Sequence, residues 1–161
     1  MAPPGDLPLD RWLPHRPPWL RLDRVSEFHE ARVVAEKRIS AGDPLVWGAQ
    51  AAGLLASGPP GSDAGRSDAG LGGFLLIDLA AQAAACLMAA QSPGQGAHLG
   101  YLVAAQGWKF HRMALPGETL TVEVTRQAGL GALVRFAGAL RVGESAVAEG
   151  EFTCAVRLSP T

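Results

Sequence analysis

The chain has 161 residues, a length at which one domain can bury about two thirds of the surface that the unfolded chain exposes. Hydrophobic residues make up 48% and charged residues 18% of the sequence, which excludes a disordered chain. Fourteen basic and fifteen acidic side chains give a formal charge of -1. Since neither sign forms a block, we expect no nucleic acid partner.

Other features of the sequence bear on compartment and redox chemistry. Residues 1–10 lack the basic and apolar regions of a signal peptide, so we expect a cytoplasmic protein. Cys86 and Cys154 are the only cysteines. They lack the close spacing of a metal or redox pair, and we expect both to be buried thiols. We predict neither a metal site nor a cofactor.

In chain order, the first predicted elements are two short apolar segments that form a hairpin. Residues 57–70 then have the Gly, Ser and Asp content of a flexible loop, which we expect to be mobile without ligand. Residues 72–91 follow as the only long predicted helix. The predicted strands cover residues 19–28, 31–39, 98–104, 108–113, 118–127, 132–142 and 145–156.

The predicted helix is long enough to span a membrane, but it is mostly Ala and contains Asp78 and Gln82. A carboxylate inside a span is unfavourable, so we predict a core helix and no membrane partner. A hairpin, one central helix and a run of antiparallel strands indicate an α+β domain over residues 1–161. We predict a hotdog fold, in which a curved antiparallel sheet wraps around one central helix.

Four stretches, in the right order, resemble the motifs of the 3-hydroxyacyl-acyl-carrier-protein dehydratases, a hotdog-fold family. Residues 13–25 (LPHRPPWLRLDRV) are similar to its amino-terminal motif, and residues 73–83 (GFLLIDLAAQA) resemble the opening of its central helix. Residues 107–120 (GWKFHRMALPGETL) are similar to its strand and Pro-Gly turn, and residues 146–154 resemble its closing strand. Together these stretches span most of the chain.

One family motif is missing. The dehydratases carry a GHFP motif shortly before the helix, with a histidine that acts as the catalytic base, whereas residues 40–71 contain no His. Residues 41–46 (AGDPLV) are more similar to a divergent branch associated with aryl polyene pathways.

The resemblance places Asp78 on the family's helix glutamate and Gln82 on its glutamine. These two residues lie four apart and share one helix face. In an apolar stripe the Asp78 carboxyl group would be desolvated, which favours a protonated general acid; the alternative is a carboxylate paired on the helix surface. The amides of Gly73 and Phe74 are candidates to bind the thioester oxygen at the helix start. For Gln82, a helix-to-loop hydrogen bond is the alternative to substrate binding.

The catalytic base has to come from one of four histidines. His15 is the first candidate, with a structural role in its Pro-rich loop as the alternative. For His111 we expect a surface or dimer-facing position, and for His29 and His98 solvated strand ends. Trp47 is a candidate wall for an acyl tunnel, although tryptophans are more often core residues.

The resemblance implies dehydration of a 3-hydroxyacyl thioester, on acyl carrier protein or coenzyme A, to the trans-2-enoyl thioester in fatty-acid or polyene-type synthesis. A second hypothesis is a non-catalytic hotdog subunit that binds acyl carrier protein or pairs with an active dehydratase. An acyl thioesterase is the third. The unpaired edge of a single wrapped sheet predicts a homodimer, or a heterodimer with another hotdog subunit.

Overall fold

The computed structural model describes residues 9–43, 46–47, 70–91 and 100–156. The predicted mobile loop at 57–70 lies outside the described residues, apart from Gly70. The elements are α1 (Leu9–Trp12), β1 (Arg24–Phe28), β2 (Arg32–Arg38), β3 (Val46–Trp47), β4 (Gly70–Leu71), α2 (Gly73–Gln91), β5 (Gly100–Phe110), β6 (Thr119–Leu130), β7 (Leu133–Val142) and β8 (Ser145–Val156).

Six strands form one antiparallel sheet in the order β1–β2–β6–β7–β8–β5, and β3 pairs with β4 separately. Helix α2 lies against one face of the large sheet, where it contacts β2, β5, β6, β7 and β8. The predicted α+β arrangement of a sheet around one long helix is therefore confirmed.

The core lies between α2 and the inner face of the sheet. Strand alternation points Val122 and Val124 of β6 inward, and both are fully buried. On the helix, Ala80 and Ala83 are also fully buried, and their small side chains allow the sheet to approach the helix closely. Helix α2 is apolar and long enough to cross a membrane, but 56% of its most apolar window is buried inside the fold, as in a core helix.

Two element boundaries differ from the sequence prediction. Residues 19–23 precede β1 instead of belonging to it, because their backbone bonds go partly to α2. Residues 98–104 and 108–113 were predicted as two strands, yet β5 is continuous over Gly100–Phe110. Gly107 has a φ of 62° and forms a bulge in the pairing with β8, so the glycine bends one strand instead of ending it.

Cys86 and Cys154 are free and buried, as predicted. Burial raises the pKa of the Cys86 thiol to about 12 and that of the Cys154 thiol to about 11. Both thiols are therefore protonated at neutral pH, and neither is activated as a nucleophile.

Candidate active site

A cavity of about 220 Å³ lies between one face of α2, the segment before β1 and the ends of β5 and β8. Its polar residues are His15, Asp78 and Gln82, so three of the predicted site residues line one space. The remaining lining residues are mostly apolar: Ala81, Ala84, Ala85, Met88, Gly100, Tyr101, Leu102, Phe136, Cys154 and Val156. A mostly apolar cavity with a few polar groups is typical of a small-molecule site.

Gln82 fastens the amino-terminal segment to α2. Its side-chain amide donates to the carbonyl oxygen of Trp19 (2.8 Å), and its oxygen accepts the backbone N–H of Arg21 (3.0 Å). Gln82 is 2% exposed, so these bonds satisfy groups that have little access to water. This is the helix-to-loop arrangement considered for Gln82, and it fixes the segment that carries His15.

The carboxylate of Asp78 is held through a single oxygen. Oδ2 accepts the Nε2–H of Gln82 (3.0 Å) and lies 2.8 Å from Nε of Arg21. The Arg21 Nε has no aligned hydrogen bond among the described residues, so the contact is an ion pair and not a directed bond. Within the described part of the chain, Oδ1 makes no hydrogen bond.

Arg21 is a buried cation that sequence analysis missed. It is 5% exposed, and its guanidinium carbon lies 5.4 Å from the centre of the Trp19 ring, within range of a cation–π interaction. The sequence signal is an arginine between Leu20 and Leu22, an unusual place for a solvated side chain. Its partner is distant in sequence, so no spacing rule connects it with Asp78.

The surroundings of Asp78 therefore differ from the expected apolar stripe. The Asp78 side chain is 29% exposed and is paired with Arg21, whereas sequence analysis expected desolvation without a cation. The ion pair corresponds to the alternative of a paired carboxylate, with a buried arginine as the partner. Asp78 nevertheless lines the cavity, and its role as the general acid stays a prediction.

His15 lines the same cavity as Asp78, but the two side chains make no hydrogen bond or ion pair with each other. Its Nδ1 is buried and has no hydrogen-bond partner among the described residues, and no contact between His15 and Asp78 falls within ion-pair range there. The Arg16 guanidinium donates to the carbonyl oxygens of Leu13 (3.0 Å) and His15 (2.8 Å), which holds the loop.

Gly73 and Phe74, two of the remaining predicted substrate contacts, are not among the residues that line this cavity. Gly73 begins α2, and a Cβ there would lie 2.8 Å from the Phe110 ring, so the glycine allows close packing. Phe74 is 70% exposed. Trp47 contributes its backbone to β3, but its side chain lies outside the described part of the structure.

The other two described histidines, His29 and His111, do not line the cavity. His29 lies 3.6 Å from Glu27, and His111 lies 3.5 Å from Glu149 at the surface. The surface position expected for His111 is thus confirmed. His98 lies outside the described residues. Among the described histidines, only His15 lines the cavity.

A protein-family model for the ApeP-like group, described as ApeP dehydratase, matches residues 7–157. The match covers nearly the whole chain. The chain belongs to the ApeP-like dehydratase family. The hydro-lyase class and the aryl-polyene branch expected from the sequence motifs are both confirmed.

Curated relatives of this ApeP-like dehydratase cover most of its length. A protein from Acidovorax sp. (strain JS42), named 3-hydroxyacyl-acyl-carrier-protein dehydratase FabZ, is 31% identical over 90% of this chain and 92% of its own length. A protein of the same name from Anaeromyxobacter dehalogenans (strain 2CP-1) is 33% identical over 89% and 85%. The relationship therefore extends over the whole hotdog unit.

Solved structures show the same fold. The dehydratase heterocomplex ApeI:P from Xenorhabdus doucetiae matches with a TM-score of 0.75 at 18% identity, over 95% of this chain and 93% of that one. The PaaI protein of Escherichia coli matches with a TM-score of 0.58 at 17% identity, over 81% and 80%. These likenesses confirm the hotdog fold of the ApeP-like dehydratase.

Proposed function

We propose that the cavity between His15 and Asp78 is where this chain dehydrates a 3-hydroxyacyl thioester, carried by acyl carrier protein or coenzyme A, to the trans-2-enoyl thioester. The supporting observation is that the two predicted proton-transfer groups line one cavity without touching each other. The names of the relatives support the substrate class. An apolar lining suits an acyl chain, and the product suits fatty-acid or polyene-type synthesis.

The reaction needs two proton transfers. A base removes a proton from C2, the C2–C3 double bond forms, and the C3–O bond breaks while an acid protonates the departing hydroxide to give water. In this proposal His15 is the base, because its Nδ1 has no protein partner in the described structure. Asp78 is the acid, acting from Oδ1, since Oδ2 is held by Gln82 and Arg21.

Binding of the thioester oxygen by the Gly73 and Phe74 amides remains part of the proposal. The start of α2 supports it, because the first amides of a helix have no partner within the helix and its dipole favours negative charge. Trp47 stays a predicted contact to the acyl chain.

The test is turnover by the purified chain. We expect it to hydrate short and medium 2-enoyl thioesters, followed by the loss of enoyl absorbance, with acyl-carrier-protein and coenzyme A forms compared in parallel. Saturated thioesters of equal length serve as blanks. Absence of turnover with every chain length and both carriers, by a folded protein, would remove the proposal.

A second candidate is a non-catalytic subunit that pairs with an active hotdog dehydratase. Two observations favour it: residues 40–71 contain no His, and the Asp78 carboxylate is already paired with Arg21. The solved ApeI:P neighbour is itself described as a dehydratase heterocomplex. A chain that is inactive alone, but raises the activity of a co-purified hotdog dehydratase, would replace the first candidate with this one.

Pairing with a second hotdog subunit also follows from an exposed edge. Strand β5 ends the sheet order and carries Tyr101 and Val103, which are 53% and 57% exposed. An unpaired apolar edge favours association. We expect light scattering to give a dimer mass at micromolar concentration, whereas a monomer mass would exclude the homodimer.

A cytoplasmic location remains part of the proposal. The two free thiols, Cys86 and Cys154, support it because free thiols are typical of a reducing compartment.

A further inference from the structure

We infer that the cavity accepts an apolar acyl chain of short to medium length, up to about eight carbons, and that Met88 sets this limit. The inference rests on the proposed function, because it takes the cavity as the place where the acyl chain binds, and it names the class of substrate. The observations that carry it are the size of the cavity, about 220 Å³, and the order of the residues along its helix wall.

The helix wall of the cavity changes from polar to apolar along α2. Four lining residues recur at intervals of three and four along the helix, which places them on one face: Asp78, Ala81, Ala85 and Met88. Met88 lies ten positions after Asp78, which corresponds to roughly 15 Å along the helix axis. The described lining residues of α2 beyond Gln82 are apolar, so a chain that starts at the polar residues runs toward Met88.

The strands supply the opposite wall, which carries no charged side chain among the described residues. Strands β5, β7 and β8 contribute Leu102, Phe136 and Val156, respectively. Cys154 adds a thiol whose pKa burial raises to about 11, and Tyr101, the other polar residue of this wall, is 53% exposed. A polar atom placed among the apolar residues would lose water without gaining a partner, which is unfavourable. The lining therefore favours a chain that has no polar group beyond the reacting carbons.

The size of the cavity limits the length of that chain. Its volume of about 220 Å³ is below the roughly 300–1,000 Å³ that is typical of sites for drug-sized ligands. A water-sized group takes about 30 Å³ in a liquid, so the cavity holds about seven such groups. A methylene group is of similar size. Longer chains would have to leave the cavity or displace a side chain.

Met88 is the last residue of α2 on the lining, and its side chain is well placed to set the limit. It is partly buried and packs against the core, and an unbranched thioether can fill irregular space in several rotamers. Phe136 is less suited, because it is fully buried and its ring stacks on Phe152 with the ring centres 5.4 Å apart. A change of Met88 therefore alters the cavity with less disturbance of the core.

The test measures the affinity of the whole chain for saturated acyl-pantetheine thioesters of four to fourteen carbons by isothermal titration calorimetry. These probes have no double bond to hydrate, so the measurement reports binding alone. We expect the Kd of the wild type to fall by about 4-fold for each methylene that the cavity buries, and to stop falling at about eight carbons. Met88→Ala removes three side-chain atoms and should raise this limit by about two or three carbons. Ala85→Leu adds three atoms and should lower the limit by about two or three carbons.

Met113→Ala is the matched control for the loss of a methionine side chain. Met113 is 36% exposed and is not among the residues that line the cavity, so its loss should leave the length limit unchanged. Circular dichroism checks the folding of each variant.

The outcomes separate the inference from the proposed function. A limit in the wild type that moves in opposite directions in the two cavity variants supports the inference. A wild-type affinity that keeps rising to fourteen carbons, a limit that folded Met88→Ala leaves unchanged, or no binding at any length overturns it. Turnover of 2-enoyl thioesters by the same samples decides the proposed function. An inactive chain that keeps the length limit removes the reaction and leaves the acyl site, whereas an active chain without the limit keeps the reaction and loses the inference.

Discussion

His15→Ala lowers the rate of 2-enoyl thioester hydration by about 100- to 10,000-fold, the usual contribution of a general acid or base. His15 is the described histidine on the cavity, and its Nδ1 has no protein partner there. Cys154 also lines the cavity, but burial raises the pKa of its thiol to about 11. The variant should stay folded, since the loop is held by Arg16 bonds to backbone oxygens.

The matched control is His111→Ala. His111 lies on the surface beside Glu149, so its loss should leave turnover unchanged. We expect kcat to fall in the His15 variant and circular dichroism to match the wild type. Equal rates for His15→Ala and the wild type would show that His15 carries no proton in the reaction.

Asp78→Asn destabilises the fold by about 3 kcal/mol, because it leaves the buried Arg21 guanidinium without its anion. This value is the lower end of the usual range for one broken buried pair, since Asp78 itself is partly exposed. Arg21→Met should destabilise less, because the remaining carboxylate can contact water. Urea unfolding of the two single variants measures the difference.

The double variant Arg21→Met with Asp78→Asn provides the control. It removes both charges, so we expect its loss of unfolding free energy to be smaller than the sum of the two single losses by about 0.5–3 kcal/mol, a coupling typical of contacting residues. Additive losses in the double variant would mean that the two groups do not interact. Activity of Asp78→Asn has to be measured on the folded fraction, since stability and turnover fall together.

Much of the fold could be predicted from local pattern. Alternation in β6, β7 and β8 places apolar residues on one face, and the helix lacks breakers between Gly73 and Gln91, so these elements were predicted to within a few residues. The Gly107 bulge was read as a break, because sequence alone does not reveal whether a glycine ends a strand or bends it.

Several motif residues turn out to hold local structure. Glu118 of the Pro-Gly-Glu turn accepts bonds from Arg112 (2.9 Å) and from the Leu115 N–H (2.8 Å). The hydrogen bond from Arg112 lowers the pKa of Glu118, so the turn keeps an ionised carboxylate. Such bonds explain why a motif can indicate the fold without identifying the reacting groups.

The site was only partly predictable for a related reason. His15, Asp78 and Gln82 meet at one cavity as their motif positions suggested. Arg21 could not be found, because its contact with Asp78 depends on how the segment crosses α2. Tertiary packing thus brings a cation beside a helix carboxylate, and helix periodicity does not report such a contact.

The most direct measurement is incorporation of heavy oxygen from labelled water into the 3-hydroxyacyl product. The purified chain and the variants His15→Ala and His111→Ala are each incubated with a 2-enoyl thioester on acyl carrier protein. The mass of the product is then measured by mass spectrometry. We predict label at the C3 hydroxyl with the wild type and the His111 variant, and little with the His15 variant. Label at equal rates in all three, or none with a folded wild type, would contradict a dehydration site between His15 and Asp78.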